Sequence, residues 1–481
     1  MTGDVPAGSH EPGPPSSDPR SPMGSGQVAE LKRACLAAID AARPRIEALN
    51  DRLLRTPETG FNEHATARIV AQALGELDLV PRTGLAGTGV KARLRGRSPG
   101  PSVAIMGELD AMRAPGHPFA DPVTGAAHTC GHHAQLASML ASVFGLREVA
   151  SALDGDVVLF AVPAEECIEL GGRLARRDRG EIEFIVGKPE LIRLGEFDDI
   201  DLALLTHTAG AADESAYDVE VTLNGGLTKL VTFEGTASHA ASAPWEGVSA
   251  LKAAMLAGGA IDAHRESFRD DDCARVHWVL TEPGHSLTVV PDRVRMELMV
   301  RARTVEALKR LAARVDRALA AGAVAMGCAV SIRTVSGYLP FTPDASLADV
   351  VENNAHALVH AGPVRRHGGH VGGCSDVGDL SHLIPLVQPM AASGNSAPIH
   401  GDGYWPTDVE AAVITPAKVM AATVIDLLAH GAAEARRIVH GREAPDRDAY
   451  LALRRAFDSE VRFDGGSAPA LITERARKEL G

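Results

Sequence analysis

Residues 102–112 read SVAIMGELDAM, residues 156–166 DVVLFAVPAEE and residues 201–208 DLALLTHT. Each is a short, nearly continuous apolar run whose far end carries Asp, Glu or His. Runs of that length and character are predicted to be strands buried on both faces, as in a parallel sheet. Helical stretches separate them, so this part of the chain is predicted to be α/β. In an open parallel sheet, ligands bind just beyond the carboxyl ends of the strands. Three strands ending in metal-type residues therefore predict one site.

The same alternation reaches back to about residue 28, where VAELKRACLAAIDAARPRIEALNDRLLR has helical spacing with a kink expected at Pro44. Residues 1–27 are mostly Pro, Gly and Ser and are expected to be a disordered arm. Downstream the pattern changes. Between 214 and 336, VEVTLNGG, LTKLVTFEG, ARVHWVLTEPG, RVRMELMVRAR and AVSIRTVSG read as strands, with helical stretches at 247–266 and 304–326. Two helices among several strands predict an inserted α+β domain. The expected division is a catalytic domain at 28–213 and 337–440, the insertion at 214–336, and a helical extension at 441–481.

Composition narrows the function classes. The chain has 481 residues, 45% apolar and 23% charged, which suits a globular protein with a large core. Its net charge of −14 argues against binding to nucleic acid or an anionic membrane, because both rest on basic patches. No run approaches the ~18–20 apolar residues of a membrane span. Six scattered cysteines without a CxxC pair, and an N-terminus unlike a signal peptide, predict a cytoplasmic protein.

The chemistry concentrates in HTCGHH, residues 128–133. Cys130 and His132 flank a glycine that lets both side chains reach one ion, and thiolate with imidazole suits zinc and similar metals. Alone, the hexapeptide also reads as a buried Cys beside a surface His. Glu165 and Glu166 end the second run; beside a metal, one can neutralise the ion while the other takes a proton from water. His207 ends the third run, and His400 sits in the Gly/Pro-rich SAPIHGDGYWP. Asp110 is placed to orient a ligating histidine.

In their order, GELDAM, HTCGHH, PAEE, a strand-terminal His, SHAASAPWEG, GGCSDVGDLS and a late HGD resemble the M20 metallopeptidases over about 100–410. The resemblance is to their amidohydrolase branch of aminobenzoyl-glutamate, hippurate and auxin-conjugate hydrolases. It implies a mostly parallel α/β catalytic domain with an inserted ferredoxin-like α+β lid that forms a homodimer. It implies Cys130, His132, Glu166, His207 and His400 as ligands of one or two divalent ions (Mn²⁺ or Zn²⁺), with Cys130 as the bridge. Glu165 would be the general base, Asp110 the carboxylate behind the metals, and His239 the lid donor to the oxyanion. The implied reaction is attack of metal-bound hydroxide on the amide carbonyl of an N-acyl or N-aroyl amino acid, breaking its C–N bond.

Departures concern the substrate. Glu108-Leu109-Asp110 stands where relatives have a DMD-like segment, His133 where Asp or Asn is commoner, and Thr288 where an asparagine precedes the lid's VIPD-like motif. Arg293, Arg295, Arg301 and Arg303 share parity on one lid strand, and Arg301 matches the family's arginine for a carboxylate-bearing small molecule. Gly372, Gly373 and Ser375 read as a substrate-side loop or a plain tight turn. Two other functions fit the same residues: release of ammonia from an aromatic amine, and a non-catalytic binding protein of the same fold. A structural zinc site does not fit, because its ligands cluster in sequence and are closed by four Cys/His.

Overall fold

The computed structural model describes residues 25–210, 217–360 and 362–467. Most of the expected arm (1–24), the boundary expected at 213/214 and the last residues of the extension (468–481) lie outside them. The fold is mixed α/β, as the apolar runs imply. Its central sheet has the strand order Arg82–Leu85, Gly89–Arg95, Asp154–Val162, Ser98–Glu108, Leu202–Leu204, Leu386–Val387. The first two joins are antiparallel and the other three parallel. The three runs quoted above are therefore adjacent parallel strands, and their carboxyl ends share one edge.

Helix His132–Val149 lies on this sheet and is buried almost all round. Two glycines permit that closeness. A Cβ on Gly107 would come within 3.0–3.2 Å of Leu136 atoms, and one on Gly145 within 2.5 Å of Cys35. Around it pack Ser25–Ala41, Arg43–Leu54 and Thr415–Leu428. The kink expected at Pro44 is a break just before it, at Ala42: the proline sits in the first turn of the second helix, where no N–H is needed. Glu410–Leu428 has the length and hydropathy of a membrane span, but it is mostly buried inside the protein and is a core helix.

A second sheet is wholly antiparallel, ordered Arg275–Glu282, Arg293–Ala302, Gly225–Glu234, Ala329–Tyr338, Ser459–Asp464. Helices Ala250–Ala263 and Val305–Met326 cover one face, burying Val294, Met296, Leu298 and Val300 while the arginines of the same strand take the other. Two expectations change. VEVTLNGG reads as one of these strands, yet Tyr217–Leu223 joins a separate sheet with Val364–Val371, Met390–Ala392 and His207–Ala209. The chain turns between them at Asn224-Gly225, where a Gly225 Cβ would meet Pro340 at 2.7 Å. The segment after 441 is not all helical: after helix Arg447–Arg455, the alternating SEVRFD pairs with Ala329–Tyr338 as an edge strand.

Asp154 ties the start of a central strand to its surroundings. It accepts from Arg97 Nε and Nη2 (2.8 and 2.7 Å), Ser98 Oγ (2.7 Å) and the Gly431 amide (2.9 Å). The Arg97 hydrogen bonds hold its carboxyl at about 2. A depressed carboxyl stabilises the fold above its unfolded value of 3.8 and loses that contribution as pH falls towards 2. Asp154→Ala is expected to cost about 1–3 kcal/mol at neutral pH. In denaturant titrations the difference from the parent should shrink as pH is lowered from about 4 to about 2.

Candidate metal centre and active site

The shared strand ends bring the expected residues together. Glu108 ends its strand and Asp110 follows two residues on. Beyond Val162, Ala164 turns the chain at φ 52° and presents Glu165 and Glu166. His207 opens the strand His207–Ala209. Gly131, at φ 86°, separates Cys130 from His132 at the head of the buried helix. His400 reaches in from its loop, tied by its amide to Thr129 O (2.8 Å).

Cys130 Sγ lies 3.3 Å from His207 Nε2 and 3.4 Å from His400 Nε2. His400 Nε2 is 3.2 Å from Glu166 Oε1. His132 turns Nδ1 to Asp110 O (2.9 Å) and lies 3.4 Å from Asp110 Oδ1, while Asp110 Oδ2 accepts from the Glu166 amide (2.9 Å). Asp110 thus orients one imidazole and one glutamate backbone at once. Two groups of ligand atoms result, Cys130–His132–His207 and Cys130–Glu166–His400, with all atoms of a group within 4.8 Å of one another. Cys130 belongs to both.

The donors fit divalent cations. Buried His132 Nε2 and Glu166 Oε1 approach charged neighbours but make no hydrogen bond, and unpartnered buried polar atoms are costly unless something binds them. Thiolate, imidazole and carboxylate are transition-metal donors. Burial and Glu166 disfavour the Cys130 thiolate, but His132 and His207 outweigh them and lower the thiol to about 6. The two adjacent glutamates part company. Burial, then the charges of Glu108, Glu166 and Asp376, push the Glu165 carboxyl well above the usual range. For Glu166 the penalty of burial is outweighed by His400 and His132, which bring it down to about 2.

Gly131 allows the turn in two ways. Its φ is left-handed, and a Cβ there would stand 2.3 Å from Thr208 Oγ1. Gly131→Ala is expected to displace Cys130 from His132, with kcat falling about 10²-fold, as for a ~1 Å misplacement. Metal content of the purified protein, measured by plasma spectroscopy, should fall with it.

His239 and Thr288, expected on the inserted domain, are not part of the cluster. His239 is exposed and bridges to Val289; its Nδ1 accepts the Ala241 and Ser242 amides (3.1 and 3.0 Å). It makes no hydrogen bond or ion pair to the cluster among the described residues. Thr288 is beside it, accepting from the Ala240 amide (2.9 Å). Arg293 and Arg295 pair with Glu234 (3.6 Å) and Glu282 (2.7 Å), whereas Arg301 lies against Cys374 with its Nε buried and unpartnered. Gly373 accepts the Asn224 amide (2.9 Å).

The reading of the sequence missed Lys188, Asp376, Gln135 and Tyr338. Lys188 is fully buried, bonded to Glu108 (2.6 Å) and to Asp376. Tyr338 donates to Glu165 O (2.9 Å). The signal for Lys188 was a single cation inside the apolar stretch FIVGKPELI.

The model of peptidase family M20/M25/M40 matches residues 104–425, which spans every segment of this cluster. The chain belongs to that family. Its M20 relatives include the mouse Xaa-Arg dipeptidase, 27% identical over 86% of this chain and 94% of that protein. A chain of the Escherichia coli p-aminobenzoyl-glutamate hydrolase is 28% identical over 65% of this chain and 62% of its own length. A Bacillus subtilis structure described as a dinuclear metal binding peptidase from the M20 family superposes with TM-score 0.61 at 20% identity, covering 81% of this chain and 99% of the other. As an M20 family member the protein is a hydrolase acting on C–N bonds, and the two Cys130 groups that could hold a metal ion lie where the three parallel strands end.

Proposed function

We propose that this M20 protein is a metal-dependent amidohydrolase that cleaves the amide C–N bond of an N-acyl or N-aroyl amino acid. The observation that carries the reading is that one thiol, Cys130 Sγ, belongs to two ligand groups. Cys130, His132 and His207 would hold one cation and Cys130, Glu166 and His400 the other, Mn²⁺ or Zn²⁺ by donor type. Such cations supply Lewis-acid polarisation of a carbonyl and lower the pKa of a water toward ~7.

The protein's residues do the rest. Glu165, whose carboxylate lies 4.0 Å from His132 Nε2 and whose backbone Tyr338 fixes, takes the proton of the attacking water and delivers it to the leaving nitrogen. Asp110 holds the His132 ring in its working tautomer. Because His239 Nδ1 accepts two amides, the neutral ring carries its proton on Nε2, as a donor to a developing oxyanion requires. His239 reaches the cluster by lid movement or from a second copy. Arg275–Glu282, an edge strand among the described residues with Val279 about half exposed, suits a homodimer through the lid. Arg301, beside Cys374 in the Gly373 loop, is the clamp for a substrate carboxylate, while Thr288, beyond the other end of the same strand, would come to it only with His239. The mouse and Escherichia coli relatives, a Xaa-Arg dipeptidase and a p-aminobenzoyl-glutamate hydrolase chain, are both named for an acylated amino acid, which supports the substrate class. The working compartment is the cytoplasm, consistent with free thiols at all six cysteines.

The test is purified protein stripped of metal, reloaded with Mn²⁺ or Zn²⁺ and offered N-acyl amino acids, aminobenzoyl-glutamate, dipeptides and aminoaromatics. Metal-dependent release of an amino acid is the expected result. Release of ammonia from an aminoaromatic instead would move the protein to the arylamine reaction, and no turnover on any of them would count against a catalyst of this class.

A further inference from the structure

Lys188 has no place in the reaction described above, yet it lies at the bottom of the site. It is fully buried, as are Glu108 and Asp376. Its Nζ donates to Glu108 Oε1 (2.6 Å) and to Asp376 Oδ1, and its backbone amide donates to Asp376 Oδ2 (2.8 Å). Glu108 is pinned on its other side by Gln135, which exchanges two hydrogen bonds with it (2.8 and 2.9 Å). Glu108 Oε2 is thereby left 3.1 Å from His132 Nε2. Glu108, His132 and Glu165 form a third group of donor atoms within 4.8 Å of one another. The helix Gly187–Arg193 that carries Lys188 abuts the turn before Glu165: Gly187 N donates to Ala164 O (3.0 Å), and a Gly187 Cβ would fall 1.7 Å from Pro163 O.

A buried ion cluster is weak evidence for stability, because desolvation offsets most of the attraction and apolar replacements are often neutral. Its persistence beside the base asks for another use. We propose that Lys188 is a positioning residue for catalysis: through Glu108 and Asp376 it fixes a second carboxylate, Glu108, opposite Glu165 across His132 Nε2, so that the attacking water is oriented by two acceptors rather than one. This rests on the amidohydrolase reading with Glu165 as base.

Lys188→Met alone strands two buried carboxylates and is expected to unfold easily. Lys188→Met combined with Asp376→Asn removes one charge of each sign and keeps the net charge of the cluster. The double variant leaves one buried carboxylate, Glu108, without its cation rather than two, so it is expected to melt below the parent but to fold and to keep the visible spectrum of its Co²⁺ form. Its kcat should be more than about 100-fold lower, with KM within about threefold. Glu108→Gln, which keeps the shape, should lower kcat to a similar extent. A folded double variant or Glu108→Gln with kcat within about threefold of the parent overturns the proposal, whatever the single Lys188 variant does. A changed Co²⁺ spectrum in Glu108→Gln also overturns it, since the residue would then act on the metal ligands. Glu165→Gln measured alongside separates the readings: full turnover there removes the amidohydrolase mechanism itself, whereas its loss together with an active Glu108→Gln removes only the role of Lys188.

Discussion

Glu165→Gln is expected to lower kcat by about 10²–10⁴-fold, the range for losing a positioned general base, with little change in KM. The substitution keeps the shape, so the backbone bond from Tyr338 to Glu165 O survives. It removes one of the two carboxylates near His132 Nε2 that belong to neither Cys130 group; the other, Glu108, is bonded to Lys188 (2.6 Å). Removing a carboxyl held unfavourably among Glu108, Glu166 and Asp376 should also leave stability unchanged or raise it, because those charges repel it in the native state. A slow but well-folded and fully metallated variant is therefore the expected phenotype. Steady-state kinetics, thermal melting and metal analysis on one preparation check all three parts. Near-parental kcat would assign the proton transfer elsewhere.

Cys130→Ala is expected to have the second large effect, and by a different route. The thiol is the single atom common to both ligand groups, so its loss weakens two sites together. Affinity for the divalent ions should drop by more than the ~10–100-fold typical of losing a supporting partner, with turnover at neutral pH falling in parallel. Cys130→Ser separates bridging from packing. Its oxygen is a harder donor, so any recovered binding should favour Mn²⁺ over Zn²⁺. Titration of stripped protein against a chromophoric chelator gives the affinities directly. Two ions bound at parental affinity in Cys130→Ala would show that the thiol bridges nothing.

Much of this site is legible in the chain because its parts obey local rules. A buried parallel strand must be apolar throughout, so the Asp, Glu or His at its end stands out, and the topology of a parallel sheet obliges three such ends to meet. Cys130 and His132 are close in sequence around a glycine, which makes their pairing a local property too. Lys188 and Asp376 obey no such rule. They are 188 residues apart, and nothing near either one in sequence announces the other. The same holds for SEVRFD, whose strand exists because Ala329–Tyr338 offers an open edge, and for Tyr217–Leu223, whose choice of sheet is decided by Val364–Val371 far downstream. The residues expected to face a substrate are least legible because Arg301, Thr288 and His239 belong to segments whose sequence sets parity and leaves their distance to the Cys130 cluster open.

The returning strand Ser459–Asp464 has a mechanical consequence. It puts the antiparallel sheet in covalent continuity with helix Arg447–Arg455, whose buried Arg454 grips Ser336 O and Gly337 O on one side and Asp379 on the other (3.3, 3.0 and 2.9 Å). Tyr450 also donates to Asp379 (2.9 Å). A sheet joined to the rest of the chain by two crossings could swing about them like a door. With this third attachment it is braced like a tripod, and any rocking motion must carry the C-terminal helix along or break a fully buried guanidinium from its carbonyls.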